Sequence, residues 1–164
     1  MQRIGDEMNI VLFFGEMGAG KTYWAKEYQT EHPQLWFIEG DELVPVDMQA
    51  YVKKFKLPTK DMVERLVLRI ANLPALTPVD SQCKGFVICQ ALYRNGHREF
   101  LLNHWKRLGY NVQAVWIRVP FWQNIRQLLK RPQGWKWLAY WLLNKPFFQK
   151  PSHPYLELYE LPPF

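Results

Sequence analysis

Cysteine is scarce in this chain. Cys83 and Cys89 are the only two among 164 residues. They make neither a disulfide framework nor a zinc site, and they read as reduced thiols of a cytoplasmic protein. Long apolar runs are also missing: none approaches the ~20 residues of a membrane span. The first eight residues are mostly polar and carry no signal-peptide core. No Lys/Arg run exceeds two residues and no nucleic-acid motif occurs. The net charge of +6 is therefore read as serving a polyanionic nucleotide and an acidic substrate, and no nucleic-acid partner is expected. Repeats, low-complexity stretches and linkers are lacking, so residues 1–164 read as one domain. With 48% apolar and 22% charged residues, that domain is globular.

What is present is organised around Asn9 to Thr22, NIVLFFGEMGAGKT. Ile10 to Phe14 is an unbroken apolar run rich in β-formers, as expected of a central strand covered on both faces. Gly15 then opens G-x-x-x-x-G-K-T, the complete phosphate-binding loop, in its required setting between a strand and a helix. Gly15, Gly18 and Gly20 permit backbone angles and close approach that a Cβ would block. Backbone N–H groups along Met17, Gly18, Ala19, Gly20, Lys21, Thr22 and Tyr23 are candidates to ring a phosphate, helped by the helix dipole. Lys21 supplies a point charge to the β- and γ-phosphates, and the Thr22 hydroxyl is the candidate Mg²⁺ ligand.

Downstream, apolar and amphipathic segments alternate. Thr22 to Thr30 reads as a helix stopped by His32-Pro33, and Leu35 to Ile38 as a strand running into Gly40-Asp41. Asp41 thus falls at the carboxyl end of a strand, where ligands bind in open α/β sheets, and is placed to accept a hydroxyl proton, to hold Mg²⁺ through water, or to cap a helix. Pro45 to Pro58 reads as a partly helical excursion. Asp61 to Leu73 repeats apolar residues at helical spacing behind Thr59 as cap. Gly85 to Leu92 is the next buried strand, followed by the basic, polar cluster Tyr93 to Arg98 and a helix to Leu108 with Gly109 at its end. Asn111 to Val119 is a strand and Pro120 to Lys130 a helix. The alternation predicts a three-layer α/β fold with a central parallel sheet. Trp135 to Leu143 (WKWLAYWLL) reads as a helix packed on the core or over the site, or alternatively as an interfacial membrane contact. The proline-rich tail from Asn144 reads as extended.

Four ordered features resemble small-molecule P-loop kinases of the gluconokinase and shikimate kinase group. They are GEMGAGKT; Gly40-Asp41-Glu42-Leu43-Val44-Pro45, similar to GDxxHP; Cys89-Gln90-Ala91-Leu92 with Arg98-Glu99-Phe100-Leu101, similar to CSAL…YRDxL; and Arg126 and Arg131 with Gly134, similar to RLxxRxGH. The resemblance implies a nucleoside-monophosphate-kinase-like fold with a lid at about 131–148. It also implies ATP and Mg²⁺ as cofactors and phosphoryl transfer to a hydroxyl of a small anionic metabolite, and it is compatible with a homodimer. By the same resemblance Lys21, Asp41 and Arg131 are catalytic, Arg126 and Arg131 serve the nucleotide, and Arg94 and Arg98 hold the anionic acceptor. The chain departs from the pattern on the acceptor side: Val44 replaces a His, Gln90 a Ser, Gly96-His97 a Tyr, Met62 an Arg, and Trp135 the lid His. Two other readings stay open. One is a kinase for a nucleotide or another metabolite. The other is a non-catalytic nucleotide-binding module that docks a partner or membrane through its Trp-rich segment.

Overall fold

A computed structural model describes residues 8–151 and the backbone of 156–160. The central strand β1 (Asn9–Phe14) pairs in parallel with β3 (Gly85–Gln90) on one side and β4 (Asn111–Arg118) on the other. The edge strand β2 (Leu35–Glu39) adds to β3, and β5 (Leu156–Glu160) adds to β4, giving the all-parallel order β2-β3-β1-β4-β5.

Because side chains alternate across a strand, β1 feeds two cores at once. Ile10, Leu12 and Phe14 pack with Leu66 and Ile70 of α3 (Lys60–Leu76) and Leu101 and Trp105 of α4 (Asn95–Arg107). Val11 and Phe13 face Ala25 of α1 (Lys21–Glu31), together with Val87, Val115 and Ile117. The fully buried Trp105 fastens α4 to α3 by donating its indole N–H to the Ala71 carbonyl at 3.0 Å. Burial of such a ring requires a partner for its one polar atom, and the bond supplies it.

Several expectations hold and some shift. Thr59 caps α3, its hydroxyl accepting from the Met62 N–H at 3.3 Å. That helix runs on to Leu76 with Pro74 inside it, past the expected stop at Leu73. Helix α4 starts at Asn95, three residues ahead of the expected Arg98, so the basic cluster forms its first turn. The Pro45–Pro58 excursion holds one short helix, α2 (Val46–Lys53). Helices α5 (Phe121–Leu129) and α6 (Gly134–Asn144) pack against each other. The tail supplies a fifth strand where only extended chain was expected, since its prolines hide a short alternating stretch.

Candidate active site

The carboxyl ends of β1, β2, β3 and β4 lie along one edge, and the phosphate loop crosses it between Phe14 and Lys21. Gly18 and Gly20 adopt φ 78° and 82°, a region closed to most side chains. At Gly18 a Cβ would stand 2.7 Å from Asn124 Oδ1 and 2.9 Å from Leu128 Cδ2, so α5 lies directly on the loop. Asn124, 2% exposed, donates its amide to the Met17 carbonyl at 3.1 Å. From the opposite side, the Met17 N–H donates to the Tyr93 hydroxyl at 3.4 Å. Neither contact was expected from sequence. A lone Asn one turn before an apolar Leu on a helix face is the sign that could have found Asn124.

Lys21 donates its ammonium to the Glu16 carbonyl at 2.7 Å. Burial beneath the loop lowers its pKa to about 8; Asp41 and Glu39 pull it upward and Arg131 pushes it down. An anion arriving at the loop raises that pKa again and holds the lysine in its charged form.

Asp41 lies in the one-turn helix Gly40–Leu43 immediately after β2 and faces the same cavity as Lys21. It caps no helix with its side chain, which leaves its carboxylate available. Glu39, the last residue of β2, went unread in the sequence. Its Oε1 accepts from the Thr22 hydroxyl at 3.1 Å and from the Cys89 thiol at 3.2 Å. Burial, reinforced by Glu39, pushes the Cys89 pKa up to about 12, so this thiol stays protonated and structural. A carboxylate closing a strand just ahead of Gly-Asp was the available clue. Among the described residues no set of three or more His, Cys, Asp or Glu forms a metal cage. The hydroxyl of Thr22 with the carboxylates of Glu39 and Asp41 is nevertheless a hard-oxygen set of the kind that holds Mg²⁺ together with water and phosphate oxygens.

A cavity of about 590 Å³ runs from Gly18, Gly20, Lys21 and Thr22 toward α2, α3 and α6. Met17, Asp41, Arg94 and Arg131 line it as well, joined by His97 and Gln90. Gly15 and Ala19 are buried in the loop's foundation, and Tyr23, 59% exposed, lies outside the cavity.

Two of the expected arginines do not line the cavity. Arg98 is 2% exposed and does not line the cavity. Its guanidinium donates to the carbonyls of Leu92 (2.9 Å), Tyr93 (3.1 Å) and Gln149 (2.9 Å) and to Asn95 Oδ1 (2.7 Å). It is also sandwiched over Phe14 and Phe148, at 4.5 and 4.9 Å from their ring centres. Burial lowers its pKa to about 10, which leaves it charged at neutral pH. An arginine so committed to backbone carbonyls holds the tail to the β3 exit and is not available to clamp an acceptor. Arg126 is exposed on α5 and is not among the residues that line the cavity.

The Trp-rich segment is α6, and it covers the site. Trp137, Tyr140 and Asn144 line the cavity, and Trp141 is 1% exposed. Tyr140 donates its hydroxyl to the Lys56 carbonyl at 3.3 Å, and Trp137 meets Phe55 edge-on at 4.8 Å. Just past α6, Lys145 pairs with Glu16 of the phosphate loop at 3.3 Å. Trp135 stays 76% exposed.

No protein-family model matches the chain. Among curated proteins it is similar to heterogeneous nuclear ribonucleoprotein U-like protein 2, at 30% identity to the human and 29% to the mouse protein over 135 residues, or 79% of this chain. The chain spans 18% of the length of those relatives. Among solved structures it is similar to a gluconokinase from Sinorhizobium meliloti 1021 (TM-score 0.72, 16% identity, 94% of this chain and 83% of that one). A sugar kinase from Janibacter sp. HTCC2649 follows at TM-score 0.69 and 18% identity, over 94% of this chain and 84% of that one. The Mycobacterium tuberculosis APS kinase in complex with AMPPNP and APS gives TM-score 0.64 and 18% identity, over 95% and 90% of the two chains. The chain therefore has the P-loop kinase fold.

Proposed function

We propose that this chain transfers the γ-phosphoryl group of ATP to a hydroxyl of a small anionic metabolite. The observation that carries the reading is the meeting of Lys21, Thr22, Asp41 and Arg131 on one cavity under an aromatic lid helix. Neighbours named as gluconokinase, sugar kinase and APS kinase support it at the level of fold.

In this reading the loop N–H groups cradle the phosphates, and Lys21 and Arg131 offset charge on the phosphoryl oxygens. Thr22 with Glu39 would hold Mg²⁺, which would supply charge neutralisation for the phosphates. Asp41 orients the acceptor hydroxyl and takes its proton as the new O–P bond forms and the bond to the β–γ bridging oxygen breaks. Arg94, at the β3 exit, faces the acceptor's anionic group, where a guanidinium can pair in two-point fashion with a carboxylate. Catalysis then rests on positioning and electrostatics.

The test is ATP consumption with Mg²⁺ across sugar acids, shikimate, other hydroxy acids and nucleoside monophosphates, with Lys21→Ala as the blank. Turnover with one acceptor that vanishes in the blank is the expected result. Tight ATP binding with no turnover on any acceptor would overturn the reading in favour of a binding module.

A further inference from the structure

The acceptor half of the cavity is walled by hydrocarbon. Helix α2 and the turn before it contribute Val44, Met48 and Val52; α3 contributes Val63, Leu66 and Val67. The lid adds the rings of Trp137, Tyr140 and Phe147. Two of the polar side chains on this side are already committed to the protein. Gln49 donates its amide to the Val44 carbonyl at 2.9 Å, and Asn144 donates to the Tyr140 carbonyl at 2.9 Å.

Most of the remaining polar groups fall into two sets, with Lys53 of α2 a separate, exposed cation. Lys21, Thr22, Glu39, Asp41 and Arg131 belong to the phosphate-loop edge. Arg94 and His97 sit at the first turn of α4. Burial first, and Arg94 second, hold His97 below its ordinary pKa, so it is a neutral hydrogen-bonding partner and Arg94 is the cation of that set. Gln90 also lines the cavity, is 6% exposed, and has no hydrogen-bond partner for its Oε1.

A polyhydroxylated acceptor fits this wall poorly. Each hydroxyl laid against Val, Leu or Trp gives up water without gaining a partner. A hydrocarbon body does the reverse and gains with each methylene buried. Resting on the kinase reading above, we propose that the acceptor is an amphiphilic hydroxy acid. Its reacting hydroxyl lies at Asp41, its carboxylate at Arg94, and an aliphatic or aromatic body between them packs against α2, α3 and the lid.

The experiment titrates wild-type protein, with ADP·Mg²⁺ present, with ω-hydroxybutanoate, ω-hydroxyhexanoate, ω-hydroxyoctanoate, 4-(hydroxymethyl)benzoate, gluconate and AMP. Binding is read by tryptophan fluorescence and calorimetry, and ATP turnover is measured on the same panel. The expected result is affinity rising by about fourfold per methylene along the aliphatic series, the value for burial of a CH₂ group. Gluconate should bind more weakly than the octanoate, and Arg94→Met should weaken every carboxylate by a similar factor. Affinity flat with chain length, or gluconate or AMP bound more tightly than every amphiphile, would overturn the assignment. Turnover on gluconate or AMP would in that case leave the kinase reading standing. Binding in the expected order without phosphorylation of any member would uphold the pocket's chemistry and overturn the kinase reading instead.

Discussion

Lys21 donates its ammonium to the carbonyl of Glu16 at 2.7 Å, and Glu16 in turn pairs through its carboxylate with Lys145 beyond the lid helix, at 3.3 Å. One loop residue therefore connects the Lys21 ammonium to the segment just past α6.

Nucleotide binding should weaken as pH rises past 8. The pKa of Lys21 stands at about 8 before a nucleotide arrives, and adjacent phosphate charge raises it. Below that value the lysine is already protonated and contributes no pH dependence. Above it, binding takes up a proton, and affinity falls by up to about tenfold per pH unit. The groups that face the ammonium are Asp41, Glu39, Cys89 and Arg131. The nucleotide phosphate, titrating near about 6, is constant over this range. Calorimetric titration of ADP·Mg²⁺ from pH 7 to 10 checks this, and Lys21→Arg should flatten the profile.

Asp41→Asn should cut turnover by about 10²-fold or more and leave ATP affinity nearly unchanged, the range usual for loss of a general base. The side chain lines the cavity and caps no helix, so its removal should leave the melting temperature in place. Unchanged turnover would take Asp41 out of the mechanism.

Arg94 and Arg98 should separate cleanly. Arg98→Met leaves the Leu92, Tyr93 and Gln149 carbonyls without their donor in a buried site. A loss of about 3 kcal/mol or more is expected, read as a lowered denaturant midpoint. Arg94→Met, exposed on the cavity, should raise the acceptor KM with little change in that midpoint. The opposite pattern would return Arg98 to acceptor binding.

Asn124→Ala should loosen the phosphate loop. It frees the Met17 carbonyl that Asn124 now holds at 3.1 Å. The expected cost is about 1–2 kcal/mol of stability and a several-fold weaker hold on ATP, measured by thermal melting and calorimetry. An unchanged ATP affinity would mean that the loop keeps its shape without α5.

The nucleotide half was legible because its chemistry is local. Gly15 to Thr22 form a contiguous turn whose shape follows from glycine freedom and from the start of α1, and Asp41 was found because it directly follows a strand. The first four strands could be read from their apolar character. The fifth could not, because its alternation is short and lies among prolines.

What the sequence determined by itself was the fold class, the phosphate loop and the position of Asp41. Only the tertiary structure decided which of Arg94 and Arg98 lines the cavity. Arg94, the N-cap of α4, and Arg98 in its first turn stand four residues apart, and the choice came from where Phe14, Phe148 and the Gln149 carbonyl arrive in space. It also decided that Glu39 meets Thr22, that Asn124 meets Met17, and that Trp137, Tyr140 and Asn144 of the Trp-rich helix line a cavity. Those pairings join residues 17 to 107 positions apart, and no local rule of spacing carries them.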